Sequence, residues 1–491
     1  MIKRTIPQLM EEAHLLMKMG QMNEAIESFK KVQIQNLKNE DDASSYIWIS
    51  YCLLNTNRVQ VALDELLTGL NKYPNHENIL FALSNFYMRT GNIEKSLNIL
   101  DSIPNSCIEI IGNRLDKLQY YSYNGKEFFE ESKKAIRFCD NYSKINRNNT
   151  NRIGFISGDF HNHPVGYLSL PIFNSNMYCY YDNIITDSVT RKLQDTGINW
   201  KLTSHLSNNE LVNLIKKDKI DILIDLVGYS EHNRVGLFSK RVCPIQISWY
   251  GWCNTTSIPN VDYKISDIHH VPENYQQFHS EKILYLPDTY ILFESMYPNI
   301  KPNYKERDYI LFGSFNNPSK LNKDVLTAWN RILLNTPNSK LLIKYGSIDN
   351  DYSKAIILEY FDNPNQVMFE NKTFDYISFL KKYNDVDIIL DSFPFSGGMT
   401  TLNSLYMSTP VITYVTQLSS GRQSYAYLKN IKCDELIAYS IDEYIEKAID
   451  LGNNKDRIKN YKNTIQTKMI NSPLMNKSNF NRNLNSLLVS I

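Results

Sequence analysis

The sequence predicts two structural kinds in one chain: α-helical hairpins over roughly the first hundred residues, then α/β layers built on parallel sheets. Three observations predict this. A pattern of turn residue, small residue and large apolar residue recurs near the start at hairpin spacing. From Arg152 onward, short β-rich runs alternate with helical segments. A polar, Pro-containing stretch around Tyr297 to Asp308 interrupts that alternation and divides the second part into two α/β halves.

The recurring pattern is specific in its positions. Gly20, Asn57 and Gly91 occupy equivalent turns, followed five residues later by Ala25, Ala62 and Ser96 and then by Phe29, Leu66 and Leu100. The last two units lie 34 residues apart, and Pro74 closes one of them. Small residues belong where paired helices touch, so the segment resembles about three degenerate tetratricopeptide repeats, which stack helical hairpins into a concave surface.

The β-rich runs are IGFISG, DILIDLVG, YILFGSF, KLLIKYG, VDIILDSF and TPVITYV. Near-continuous apolar strands alternating with helices imply parallel sheets covered on both faces, and such sheets bind ligands at the carboxyl ends of their strands. The stretch Asp391 to Val415 is the most informative, because an apolar strand breaks into a Pro/Gly bend and then opens a helix. Gly397 and Gly398 allow backbone to approach a ligand closely, and the helix start at Met399, with the Thr400 and Thr401 hydroxyls, suits an anion such as a diphosphate.

Other strand exits carry polar groups. RIGFISGDFHNHPVGYL sets Asp159, His161 and His163 on a loop between a strand and a helix that starts at Pro164. An HxH pair without a nearby third ligand is a poor metal site, whereas His163 at a strand exit suits acid-base or substrate-contacting work. Asp225 stands just before the bend at Gly228-Tyr229, where it is either catalytic or an Asx cap. Asn316, Asn317 and Lys320 occupy a polar loop after another strand, and an ammonium there suits phosphate. Asp385-Val386-Asp387 has DxD spacing but falls at a helix-to-strand junction, so no metal is expected there either.

Composition narrows the field. The 491 residues are 42% hydrophobic and 21% charged, enough for a large globular core. Fifty-three basic against 52 acidic residues leave a net charge of +1, so no overall field points to nucleic acid or an anionic membrane as partner, neither is expected, and any basic site must be local. Seven cysteines without a CxxC pair suit a reducing compartment, and no run reaches the roughly 18 apolar residues of a span, so a cytoplasmic protein is expected.

These segments together resemble the O-linked N-acetylglucosamine transferase and SPINDLY family, glycosyltransferase family 41. The resemblance is carried by SGDFHNHPVGYL, DILIDLVGYS, CPIQISWYGW, SEKILYLPDTY, FNNPSKLNKDVLTAWNRILLNTPNSKLLI, DSFPFSGGMTTLNSLYMSTPVITY and NSPLMNKSNF. It implies a GT-B architecture of two Rossmann-like halves, inverting transfer without a metal or other cofactor, and a donor held mainly by the C-terminal half. The expected domains are repeats over 1–118, a helical linker over 119–150, a first Rossmann-like domain over 151–303 and a nucleotide-sugar domain with a tail helix over 304–491.

Position by position, the resemblance places His163 beside donor sugar and acceptor hydroxyl, with Lys320 on the diphosphate. It adds Asn317 in the donor loop, Thr400 at the phosphate-binding helix start, and Arg422 shortly after the next strand. Asn403 stands where the family usually holds ribose with Asp or Glu. Tyr376 and Phe379 stand near the expected uridine position, where the vertebrate enzyme has Lys and His. Cys253-Asn254 replace the Pro-Gly of a cleft loop that usually reads GYPGTSG.

The expected activity is transfer of a sugar, foremost N-acetylglucosamine from UDP, onto Ser or Thr of a protein acceptor presented by the repeats, with His163 or Asp225 assisting deprotonation. Two other readings stand: glucose transfer to Asn or fucose transfer from a GDP donor on the same fold, and a non-catalytic repeat scaffold whose donor site has decayed.

Overall fold

The computed structural model describes residues 4–35, 40–104, 107–346, 348–373 and 375–491; residues 1–3, 36–39 and 105–106 of the expected repeat domain lie outside them. The chain folds into two compact units. One comprises Met1–Pro104, Asn317–Thr327 and Ile343–Lys372, the other Asn105–Asn316, Ala328–Leu342 and Thr373–Ile491.

The first unit opens with helices α1 (Ile6–Lys18), α2 (Met22–Ile34), α3 (Glu40–Asn55), α4 (Val59–Lys72), α5 (Glu77–Arg89) and α6 (Ile93–Asp101). They form three hairpins at the turns read from sequence. Gly20, Asn57 and Gly91 all take left-handed backbone, with φ of 77°, 61° and 87°, the conformation that lets a helix stop and reverse. Asn57 does so with a side chain, which asparagine tolerates better than most residues. Ala25, Ala62 and Ser96 are 0% exposed, and Phe29, Leu66 and Leu100 at most 2%, so the repeat signature is the seam between helices. At the third seam the Ser84 and Ser96 hydroxyls lie 2.9 Å apart.

In the second unit, seven strands make one parallel sheet: β1 (Ile153–Ser157), β2 (Met177–Tyr181), β3 (Asn199–Leu202), β4 (Ile222–Asp225), β5 (Ile245–Ser248), β6 (Tyr263–Ser266) and β7 (Lys282–Tyr285). Their order is β3-β2-β1-β4-β5-β6-β7. A second sheet contains β8 (Ile310–Ser314), β9 (Ser339–Lys344), β10 (Val367–Glu370), β11 (Ile388–Leu390), β12 (Val411–Tyr414) and β13 (Ile437–Ala438). Its order is β10-β9-β8-β11-β12-β13. Strands β1, β4, β5, β8 and β11 are buried almost throughout, as parallel strands covered on both faces must be.

These orders fix where ligands can enter. In the first sheet the strand order reverses between β1 and β4, and in the second between β8 and β11. Loops leaving neighbouring strands diverge at such points and open a crevice beyond the carboxyl ends. The loops in question carry Asp159 to His163, Asp225 to His232, Asn316, and Asp391 to Thr400.

Candidate active site

Asp391 organises the second crevice. Its carboxylate is 0% exposed just past β11. Oδ1 accepts the main-chain N–H groups of Ser392 at 2.9 Å and Gly397 at 2.7 Å, while Oδ2 accepts the Thr413 hydroxyl at 2.8 Å. One charged side chain thereby ties the strand end, the bend and β12 together. The following helix, Met399–Tyr406, begins after Gly398, which has no side chain with which to cap its first N–H groups, an arrangement that suits a ligand. Gly398, Met399 and Thr400 are partly exposed, whereas Asp391 to Pro394 and Thr401 to Tyr406 are buried. The opening therefore lies at the helix start.

The two threonines there have different surroundings. Thr400 donates its hydroxyl to Asn316 Oδ1 at 2.8 Å, joining the loop after β8 to the helix across the crevice. Thr401, 1% exposed, bonds instead to Ser424 Oγ at 2.7 Å. Neighbouring helix positions are rotated by about 100°, so Thr401 turns inward and differs from the expectation that both hydroxyls face a ligand. The Gly397 N–H is likewise taken by Asp391. Its lack of a side chain matters more, since a Cβ would stand 2.3 Å from Thr401 Oγ1 and 2.9 Å from Thr400 Oγ1.

Asn403 shares the Thr400 face one turn on and is 3% exposed. Its Oδ1 accepts the Tyr376 hydroxyl at 2.8 Å. Tyr376 in turn stacks on Tyr167 from the first α/β half, with centroids 5.0 Å apart at 27°, while Phe379 and Tyr297 lie near the Tyr376 ring. Tyr167 belongs to the short helix Pro164–Ser169 that His163 begins. The stack therefore brings the His163 loop and the Asn403 helix to one crevice.

His163 caps that helix: its Nδ1 accepts the Val165 N–H at 3.3 Å. An imidazole that accepts through Nδ1 carries its proton on Nε2, so the outward nitrogen is a donor. Burial of the inner edge, with His232 adding like charge, lowers its pKa below the ordinary imidazole value and keeps it neutral. Asp159 lies 3.7 Å from His163 Nδ1 and 3.8 Å from His161 Nε2. Burial pushes Asp159 up to about 6, against the opposing pull of His161 and His232.

Asp225 serves as an Asx cap. It is 6% exposed, and its two oxygens accept the N–H groups of Val227 at 3.0 Å and Gly228 at 2.9 Å. The cap is complete, and it shapes the bend in which Gly228 takes φ of 60°. Arg422 also has fixed partners: it donates to the carbonyls of His269 at 3.0 Å and Thr416 at 3.3 Å, and its guanidinium lies 4.6 Å from the Tyr425 centroid. It ties the two α/β halves together.

Asn317 and Lys320 belong to the unit that carries the repeats. Asn317 Oδ1 accepts the Ser319 N–H at 3.0 Å and opens a single turn, Pro318–Lys320, in which Lys320 is partly exposed. The DxD aspartates have structural partners. Asp387 accepts the Tyr304 hydroxyl at 2.6 Å and the Leu311 N–H at 2.7 Å, while Asp385 pairs with Lys305 at 3.0 Å.

Two features escaped the sequence reading. Asp391 was legible as the last residue before a Pro/Gly bend, a position where Asx caps are common. The Asn254 bridge was not. This residue, 2% exposed, accepts the Ser420 N–H at 3.2 Å and lies 3.4 Å from Gln119 Oε1, so the departure from Pro-Gly is a buried polar tie.

Two sheets of Rossmann type, each with a switch point where the strand order reverses, define a GT-B architecture. The profile of glycosyl transferase family 41 matches residues 131–304 and 299–484, and the chain belongs to that family. A relative from Solanum lycopersicum, named probable UDP-N-acetylglucosamine–peptide N-acetylglucosaminyltransferase SPINDLY, is 29% identical over 360 residues, covering 69% of this chain and 38% of the relative. The Arabidopsis thaliana protein of the same description named SEC is 27% identical over 353 residues, or 68% and 36% of the two chains. The chain thus spans little more than a third of the length of the curated relatives it matches. A solved structure of a mutant Thermobaculum terrenum O-GlcNAc transferase superposes with a TM-score of 0.90 over 99% of this chain and 97% of that one, at 22% identity, and shows the same fold. Among the described residues, no helix is long and apolar enough to cross a membrane.

Proposed function

We propose that the chain is an inverting glycosyltransferase that moves a sugar, N-acetylglucosamine from UDP, onto Ser or Thr hydroxyls of a protein acceptor in the cytoplasm. The observation that carries this reading is the uncapped helix start after Gly397 and Gly398, held by Asp391 at the β8/β11 switch point. Family membership and the relatives' names support the donor class. The diphosphate lies on the N–H groups of Met399 and Thr400, with their partial positive charge stabilising the leaving group. Lys320, assigned through the family resemblance, supplies the cation in place of a metal, and Asn317 belongs to the same donor loop.

Asn403 and Tyr376 face the nucleoside, and His163 hydrogen-bonds an oxygen of donor or acceptor through Nε2–H. The acceptor hydroxyl attacks the anomeric carbon from the side opposite the diphosphate, and the nucleoside diphosphate departs with the bonding electron pair. Arg422 acts by holding the Ser419 to Gln423 segment. The repeats present the acceptor.

Asn403, uncharged and already bonded to the Tyr376 hydroxyl, leaves room for a second reading of the donor, a GDP-sugar or a UDP-hexose, on the same fold. Intact-mass measurement of acceptors incubated with each donor separates these readings, because N-acetylhexosamine, hexose and deoxyhexose differ in mass. Absence of binding to every UDP- and GDP-sugar in a calorimetric screen would overturn the enzymatic reading.

A further inference from the structure

Among the described residues, the carboxylate of Asp159 accepts no hydrogen bond. Asp159 is the second residue past β1, at the first switch point, and is 8% exposed. Among the described residues no N–H or O–H lies within hydrogen-bonding distance of its carboxylate oxygens, and the imidazoles of His161 and His163 stand at 3.8 and 3.7 Å. Other buried aspartates differ. Asp225, Asp267, Asp387 and Asp391 each accept at least two hydrogen bonds from main chain or hydroxyls. The Asp159 side chain keeps 12% exposure, so water or a ligand hydroxyl can reach a carboxylate that carries no protein donor among the described residues, and such groups concentrate where chemistry needs them.

The backbone around it is fixed. Asp159 N–H donates to Ser157 Oγ at 3.0 Å and its carbonyl accepts from His161 N–H at 2.8 Å, so the side chain is not left unpaired by a loose loop. His163 is unsuited to proton removal, because its Nδ1 is occupied by Val165 and its Nε2 already carries hydrogen. The Asp225 carboxylate is committed to the Val227 and Gly228 N–H groups, whereas among the described residues Asp159 has no such donor.

Resting on the transferase reading above, we propose that Asp159 is the general base of the reaction, directly or through one water. The proton of the acceptor hydroxyl passes to Asp159, the hydroxyl oxygen bonds to the anomeric carbon, and the bond from that carbon to the diphosphate breaks with its electrons on the leaving group. His161 and His163 flank the carboxylate from its own loop, with Asp187 near His161, and His232 and Glu231 face it from the loop after β4. Burial, partly offset by His161 and His232, raises the carboxyl to about 6, within reach of neutral pH where a base must be ionised and still basic.

The test compares the full chain with Asp159→Asn and Asp159→Glu, using whichever nucleotide sugar the wild type turns over and the matching nucleoside diphosphate as binding probe. For Asp159→Asn we expect kcat to fall by about 10²- to 10⁴-fold, with nucleoside diphosphate affinity within about threefold of wild type. Wild-type kcat should rise with pH through about 6 as the carboxylate ionises, and that limb should vanish in Asp159→Asn. Near-normal kcat, a retained limb, or an equal loss of nucleotide affinity in Asp159→Asn overturns the assignment. If Asp159→Asn does not fold, Asp159→Glu decides: residual turnover with a displaced limb supports the base, and an undisplaced limb overturns it. A wild type that binds no nucleoside diphosphate and turns over no donor overturns the transferase reading itself, whereas an active wild type matched by Asp159→Asn overturns this inference alone.

Discussion

Asp391 accepts the main-chain N–H of Gly397 at 2.7 Å, and through that bond a buried carboxylate shapes the turn that opens the Met399–Tyr406 helix. The same side chain holds Ser392 and Thr413. Replacing it with Ala strands these donors in a dry environment. Asp391→Ala should therefore lose about 2–4 kcal/mol of stability in urea unfolding and bind no nucleoside diphosphate. Normal nucleotide affinity in a folded Asp391→Ala protein would contradict the role of this turn.

Gly397→Ala tests the turn by volume instead of charge. The added methyl meets Thr401 Oγ1 at 2.3 Å and Thr400 Oγ1 at 2.9 Å, closer than real side chains approach. Both hydroxyls must move, and Thr400 gives up its place beside Asn316. We expect about a tenfold or greater loss of nucleotide affinity, equivalent to about 1.4 kcal/mol, measurable by calorimetry. An unchanged dissociation constant would show that the turn does not hold the diphosphate.

His163 should be observed as the Nε2–H tautomer by nitrogen NMR at neutral pH, because Val165 N–H occupies Nδ1. Its folded pKa lies below the ordinary 6.5, so the unfolded chain takes the proton first. The stability it contributes is therefore complete above about pH 6.5 and is lost as pH falls toward the folded value. His163→Asn, which keeps a capping side chain, should flatten that part of the acid limb of the stability curve. Imidazolium signals at pH 7 would refute the assignment.

Arg422 separates structural from ligand effects. Its guanidinium spans the carbonyls of His269 and Thr416 and lies against Tyr275 and Tyr425. Lysine cannot reproduce a planar donor set stacked on rings. Arg422→Lys should cost about 1–3 kcal/mol in unfolding, with nucleotide affinity of the folded fraction within about threefold of wild type. A large affinity loss without destabilisation would show that Arg422 touches the donor.

Local chemistry made much of the architecture legible. The Gly20, Asn57 and Gly91 turns follow from the few residues that tolerate left-handed backbone, and the small residues after them from how closely helices can pack. The apolar strands of both sheets and the Gly397–Gly398 turn were readable for the same reason: a short window of chain decides them. Roles that depend on partners distant in sequence were not. That Asp225 caps Val227 and Gly228, and that Thr401 turns inward to Ser424, depends on the folded bend and on a neighbouring helix. Tyr376 reaches Asn403 and Tyr167, and Asn254 reaches Ser420, across separations no local pattern encodes. The sequence by itself determined the repeats, the parallel sheets and the position of the Gly397–Gly398 turn, because propensity and periodicity act over a few residues. Tertiary structure alone decided which polar groups find partners, and so left Asp159 without a hydrogen-bond donor among the described residues, because hydrogen-bond partners are neighbours the fold brings from elsewhere.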